Sequence, residues 1–388
     1  MSGWKPALQA WLARADALSD RARGRWRRLR PSRRRQVVVP YIGFGTAHRI
    51  TLTGRVLRDD GTPPAAATDS GWRNAARFYR QMASDEVAGA RVRALFRDEV
   101  HEAVCDDEGY FECRIEPRPA LAEAGWHAVP VTLVEAADGA EAVGTTAQVL
   151  VPPDSARFGV ISDIDDTVVW TQASDRLRML WTLLRSNAHT RKPFEGVAAF
   201  YRALTEGASG REDNPIFYVS SSPWNLYAPL VEYLDLQRIP LGPLLLKDFG
   251  DHTLFSSSDH ASHKLASIER ILTTYPALPF VLIGDSGEQD PEIYSDVVHA
   301  HPNRVNAIYI RNVNPDPLRV AVIERLVEQA RSSGAQLVLA PDSTFAAAHA
   351  AGEGLIRAPT LRSVRADSEH DRQAELPAAP EDPTSGAG

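Results

Sequence analysis

From Phe158 onward, six short apolar runs recur, and longer stretches with helical spacing separate them. The runs are Phe158–Ser162, Ile216–Ser220, Leu244–Leu246, Phe280–Gly284, Ala307–Ile310 and Gln336–Leu339. No other feature restricts the fold as much. Apolar runs without polar alternation suit strands covered on both faces, and the helical stretches supply the crossovers that parallel strands need. The sequence therefore predicts an α/β unit over residues 153–357, a Rossmann-like parallel sheet with helices on both faces.

Two of these runs stop at clustered acids. The first continues as Asp163-Ile164-Asp165-Asp166-Thr167 and the fourth as Asp285-Ser286-Gly287-Glu288-Gln289-Asp290. The C-terminal ends of strands in such sheets are where ligands bind. Carboxylates crowded there repel one another unless a proton or a cation relieves them. An all-oxygen donor set favours a hard cation, and magnesium is the natural choice. In an extended segment, Asp163 and Asp165 point the same way, so one can attack while the other manages protons. Asp166 reads as a solvent-facing or helix-start residue, and Gly284 and Gly287 as turn residues near the metal.

The second run ends in Ser220-Ser221-Ser222, which offers hydroxyls and amides to a phosphate oxygen. Lys264 opens the helical stretch before the fourth run, and Lys247, after the third, competes with it for the same anion. Arg191 and Lys192 read as surface charges or as contacts to substrate phosphate. Trp170, Trp181 and Trp224 could meet acyl chains. Leu177, Leu180, Trp181 and Leu184 recur at helical spacing, which places Trp181 in a core instead.

Taken in this order, the four elements resemble the haloacid dehalogenase superfamily of phosphohydrolases, through an Asp-x-Asp-x-Thr motif and a Gly-Asp-x-x-x-x-Asp motif. The strings DIDDTV, TRKPFEGV, YVSSSPWNLY, HK and LIGDSGEQDPEIY are similar to the catalytic domain of the actin-patch-associated phosphatidate phosphatases. The likeness covers roughly residues 38–357; Ser220-Ser221-Ser222 stands where the eukaryotic members are expected to have Ser-Asn-Ser.

The resemblance implies Asp163 as nucleophile, Asp165 as general acid and then base, and Ser220 and Lys264 on the phosphate oxygens. Lys264 is preferred to Lys247 because its place before the fourth strand matches the family order. Magnesium would be held by Asp163, Asp285 and the backbone carbonyl of Asp165. Asp290 would orient Lys264 or a metal-bound water, Thr167 would fix the loop, and Ser221 and Arg191 are secondary substrate contacts. The implied activity is a magnesium-dependent phosphomonoesterase acting on a lipid phosphate such as phosphatidate. A soluble or protein phosphoester, and a non-catalytic scaffold that keeps the fold, are the alternatives. Asp163 and Ser220 lie 57 residues apart, and Ser220 and Lys264 lie 44 apart, so a minimal cap and an open site are expected.

The rest of the chain reads differently. Residues 37–152 contain short β-branched runs at Val37–Val39, Arg49–Leu57, Tyr110–Ile115, Ala128–Val134 and Ala147–Val151, with turns between them, which predicts a small sandwich-like domain. Gly43-Phe44-Gly45 is only a glycine pair, and Trp72–Met82 reads as a helical insertion. Cys105 and Cys113 flank a turn-like run. Two free thiols in a reducing compartment are expected, with a disulfide across a hairpin as the alternative.

Residues 1–35 hold 11 Lys/Arg against two Asp, a balance of +9 that leaves −16 on the rest of a chain whose net charge is −7. Trp4, Leu8, Trp11, Leu12, Ala15 and Leu18 give the arm (residues 1–36) an amphipathic pattern, followed by nine arginines between Arg21 and Arg35. Three readings stay open: a helix docked on the body, an anchor on an anionic membrane surface, and, least favoured, a nucleic-acid contact. No leader-type apolar run and no window of about 18–20 apolar residues is present, so a cytoplasmic protein, peripheral on the inner membrane face at most, is expected. Residues 358–388, rich in Ala, Pro, Glu and Asp, read as a disordered tail.

Overall fold

The computed structural model describes residues 36–58, 86–134, 144–164, 195–247, 257–313, 316–332 and 334–375. The basic arm before residue 36, the expected insertion at Trp72–Met82, Asp165 to Lys192 and the chain after Glu375 lie outside the described residues.

The first unit is a mixed β sheet. Its strands are β1 (Gln36–Pro40), β2 (Gly43–Thr46), β3 (Arg49–Arg58), β4 (Arg91–Phe96), β5 (Glu99–Val104), β6 (Tyr110–Ile115), β7 (Gly125–Leu133) and β8 (Thr145–Val151). They run in the order β1-β3-β2-β8-β7-β4-β5, with β6 paired to β3. Among the described residues of this unit, only the β2–β8 pairing is parallel. Alternate residues of β3, β4, β6, β7 and β8 turn inward into one apolar core that includes Ile50, Val92, Ile115, Val131 and Val149. The glycine pair is strand β2, not a loop. A Cβ on Gly43 would lie 2.4 Å from the Thr51 carbonyl and one on Gly45 2.1 Å from the Arg49 carbonyl, so only glycine lets β2 lie this close to β3. Cys105 and Cys113 are free and buried. The strands beside them do not form a hairpin ladder, because β5 pairs with β4 and β6 with β3.

The second unit is the predicted parallel sheet. It consists of β9 (Gly159–Asp163), α1 (Val197–Glu206), β10 (Ile216–Pro223), α2 (Tyr227–Leu236), β11 (Leu244–Lys247), α3 (Ser257–Thr274) and β12 (Phe280–Asp285). It continues with α4 (Asp290–Ala300), β13 (Val305–Arg311), α5 (Pro317–Ser332), β14 (Gln336–Ala340), α6 (Ser343–Gly352) and α7 (Thr360–Glu375). The strand order is β11-β10-β9-β12-β13-β14, all parallel. One face is covered by α1, α2, α6 and α7, and the other by α3, α4 and α5. The chain leaves the central strand β9 toward β10 and β11, then returns to the other side of β9 as β12. That reversal opens a crevice at the C-terminal end of β9, the place where such sheets bind ligands.

The expectation of a disordered tail from residue 358 is corrected over Thr360–Glu375, which form α7. Composition counts miss the face that Leu361, Val364 and Ser368 make at helical spacing; Val364 is fully buried against α1. Two α7 carboxylates also cap α1. Asp371 Oδ2 accepts the Gly196 N–H at 2.9 Å and Asp367 Oδ2 the Ala199 N–H at 3.1 Å. These are donors at the helix N-terminus that no intrahelical carbonyl can satisfy. Among the described residues, no helix is long and apolar enough to cross a membrane.

Candidate active site

Asp163 is the last residue of β9 and is buried. The strand is held from behind: Ser162 Oγ lies 2.7 Å from Tyr201 Oη on α1 and donates to the Asp163 carbonyl at 2.7 Å. Lys264 reaches across from α3. Its Nζ is 2.9 Å from Asp163 Oδ1, 2.7 Å from Asp290 Oδ1 and 2.8 Å from Glu288 Oε2. Burial opposes the ammonium charge, but Asp163, Asp290 and Glu288 outweigh it and hold Lys264 well above its ordinary pKa.

Asp285 ends β12 and is also buried. Its Oδ1 accepts the N–H groups of Gly287 (2.6 Å) and Glu288 (3.0 Å). Its Oδ2 is buried and has no hydrogen-bond partner among the described residues. Asp290 starts α4; besides Lys264, it accepts the Asp285 N–H on Oδ2 at 3.2 Å. Burial raises the pKa of both carboxyl groups, and the charge of Asp290 adds to the shift of Asp285. Gly284 is a strand residue here rather than part of a turn. A Cβ at that position would lie 2.5 Å from Asp290 Oδ2, so glycine is what allows Asp290 to pack against the strand.

One ligand oxygen from each of Asp163, Asp285 and Asp290 can lie within 4.8 Å of the others. Of the expected metal ligands, the structure brings Asp163 and Asp285 together and adds Asp290; Asp165 lies outside the described residues. The donors are all carboxylate oxygens, and Asp285 Oδ2 is a buried acceptor with nothing to accept from. Such a set fits a hard divalent cation.

Ser220 is buried on β10 beside β9, and its Oγ accepts the Ser222 N–H at 2.9 Å. Ser221 Oγ and, at the end of β11, Lys247 Nζ are buried atoms without hydrogen-bond partners among the described residues. Thr167 and Arg191 are outside those residues. Sequence reasoning passed over Glu288, which lies inside a recognised motif, and Tyr201, for which no local signal exists. A buried carboxylate held against an ammonium, with further carboxylates able to hold a cation, can serve as a nucleophile toward an anionic electrophile.

Residues 158–312 match the family model described as phosphatidate phosphatase APP1, catalytic domain. Phosphatidate phosphatase APP1 of Saccharomyces cerevisiae is 35% identical over 157 residues, 40% of this chain and 26% of that protein. An uncharacterized protein of Schizosaccharomyces pombe is 30% identical over 161 residues, 41% of this chain and 26% of its own length. The chain thus spans about a quarter of the length of these relatives. Among solved structures, the PilB minor pilin from Streptococcus sanguinis aligns at 9% identity over 75% of this chain and 89% of that one, with a TM-score of 0.26, too low to bear on fold or function. The parallel sheet and the acids at the ends of β9 and β12 lie inside the matched segment, so the similarity of residues 158–312 to the phosphatidate phosphatase APP1 catalytic domain falls on the candidate site itself.

Proposed function

We propose that the chain is a metal-dependent phosphomonoesterase of the haloacid dehalogenase type that works through an aspartyl-phosphate on Asp163. The observation that carries this reading is the Asp163 carboxylate at the C-terminal end of the central strand, 2.9 Å from Lys264 Nζ and grouped with Asp285 and Asp290. Asp163, Asp285 and Asp290 provide oxygens for a divalent cation, with magnesium the expected ion. When bound, it neutralises phosphate charge so that a carboxylate can approach an anion.

The steps fall to residues of the chain. An Asp163 oxygen attacks phosphorus, the phosphorus–oxygen bond to the leaving group breaks, and the leaving oxygen takes a proton from Asp165. Asp165 then takes a proton from water as that water attacks phosphorus, which frees inorganic phosphate and restores the Asp163 carboxylate. Ser220 holds a phosphoryl oxygen as charge redistributes. Lys264 keeps Asp163 ionised and aimed, while Asp290 and Glu288 fix its ammonium.

A lipid phosphate of the phosphatidate class is the substrate we infer. The matched family's description supports it, and so does the basic, tryptophan-bearing arm over residues 1–35, which suits an anionic surface. The test is a phosphoester panel that sets phosphatidate in vesicles against soluble monoesters, with magnesium and with chelator. Magnesium-dependent release of phosphate from the vesicles, abolished by Asp163→Asn, is expected. Full activity of Asp163→Asn would overturn the covalent route, and turnover of soluble esters alone would overturn the lipid assignment.

A further inference from the structure

Four carboxylates crowd one ammonium at the centre of the site: Asp163, Asp285, Asp290 and Glu288 against Lys264. An ammonium has three donors, and carboxylate oxygens lie 2.7–2.9 Å from Lys264 Nζ on three sides. Lys264 donates to Asp290 and Glu288 and lies 2.9 Å from Asp163 Oδ1, so carboxylates already hold most of its donors before a substrate arrives. A divalent cation still leaves the cluster negative, and a phosphomonoester adds negative charge. Arg319 is committed to Glu292 and to the carbonyls of Ser286 and Glu288, and Arg311 pairs in register with Asp285 on the β13 side. On the opposite side, where Ser220 lies, the phosphate needs a cation of its own.

Lys247 stands there. The β10–β11 ladder pairs Val219 with Leu245 and Pro223 with Lys247, and the register shifts between them. Residues 220–222 therefore bulge beside the end of β11, a device that re-aims side chains next to active sites. The ring of His263 lies near the backbone of Leu245 and Ser220, and its buried Nε2 has no hydrogen-bond partner among the described residues. Burial, joined by the nearby charges of Lys247 and Lys264, holds that imidazole below its ordinary pKa. Lys247 Nζ and Ser221 Oγ are both buried atoms that lack hydrogen-bond partners among the described residues. A buried ammonium without a partner is costly, and a fold retains one where a ligand completes it.

We propose that Lys247 and Ser221, beside His263, form a second oxyanion pocket that takes oxygens of the phosphoryl group beyond those that Ser220 and Lys264 can hold. This rests on the phosphatase reading above and adds substrate contacts to it.

The test uses the full chain with magnesium and inorganic phosphate as the probe, read by calorimetric binding and by thermal midpoint. Lys247→Met is expected to lose about tenfold or more in phosphate affinity, the loss of one charge-assisted hydrogen bond. Its midpoint without phosphate should rise, because a buried unpaired charge is gone, and Lys247→Arg should restore most of the binding. A Lys247→Met protein that binds phosphate as tightly as wild type, or that loses stability while Lys247→Arg fails to restore binding, overturns the pocket. Turnover separates the two readings. A wild-type chain that hydrolyses no phosphomonoester, yet binds phosphate through Lys247, sinks the phosphatase reading and leaves the pocket standing. A wild-type chain that does hydrolyse one, while Lys247→Met binds phosphate like wild type, does the reverse.

Discussion

Tyr41 of the β domain stacks on Trp224 of the α/β domain, with ring centroids 4.1 Å apart and planes 13° from parallel. Trp224 follows directly on β10, which carries Ser220 and its neighbours, so the β domain packs against the segment that continues from the candidate site. The contact is wider than one ring pair. Tyr227 Oη accepts the Ile42 N–H at 2.7 Å, and Phe44 packs edge-on against Phe217. Tyr41→Ala should cost about 3 kcal/mol in denaturant unfolding, typical of deleting a buried aromatic ring. It should also raise KM for any phosphomonoester, whereas Tyr41→Phe should keep both near wild type.

Asp285→Asn should separate the two roles of the acid cluster. Asp285 is buried beside Asp290, and without a cation their repulsion costs stability. Replacing it should raise the midpoint of the metal-free protein by an amount worth about 1 kcal/mol, roughly 2–4 °C for a domain of this size. It should also remove the additional midpoint rise that magnesium gives wild type. Scanning calorimetry with magnesium and with chelator reads both effects. An undiminished magnesium shift in the variant would exclude Asp285 as a ligand.

Much of this site was legible before the structure because its main groups stand where continuous apolar runs stop. Asp163, Ser220 and Asp285 belong to strands with few polar interruptions, so their positions follow from the runs alone. The contacts that hold them were not legible. Glu288 on Lys264, and Tyr201 behind Ser162, join residues from separate elements, and no local pattern encodes such pairs. In the β domain, β4 was missed because exposed Leu95 blurs an otherwise regular alternation, and β5 because its outer-edge sequence Glu99–Val104 buries no side chain fully. The tail helix α7 was missed for a related reason: its fixing contacts are carboxylates on a distant helix end, which composition counts as solvated charge.

Those carboxylates are testable. Asp371→Ala and Asp367→Ala should each destabilise the α/β domain by about 1 kcal/mol, the usual cost of losing a helix-capping acceptor. Removing residues from 360 onward should cost more, since Val364 leaves the core as well. Chemical denaturation of the full chain and the variants gives the comparison.

The thiols set an alkaline limit on the β domain. Burial, with Asp106 beside it, pushes Cys105 up to about 12, and burial raises Cys113 as well. A thiol raised in the fold favours the folded state fully below its unfolded value of about 8.5–9, and that contribution is lost as pH rises through the folded value. Thermal midpoints should therefore fall from about pH 9 upward, less steeply in Cys105→Ala. At pH 8, native protein should resist thiol-labelling reagents until it is unfolded; rapid labelling of the native chain would contradict this.

Gly284→Ala should disable the site without touching a charged residue. The new Cβ would lie 2.5 Å from Asp290 Oδ2 and 2.7 Å from Asp290 Cβ, too close for Asp290 to stay in place. Asp290 holds Lys264 at 2.7 Å and the Asp285 N–H at 3.2 Å, so its displacement shifts both the ammonium on Asp163 and the acid that ends β12. A misplacement near 1 Å at reacting groups costs on the order of 10²-fold in rate, and a loss of about that size in kcat is expected. The fold should survive, because the clash is with a side chain at the mouth of the sheet rather than within either apolar face. Activity near wild type, with a cooperative unfolding transition intact, would show that Asp290 does not position Lys264.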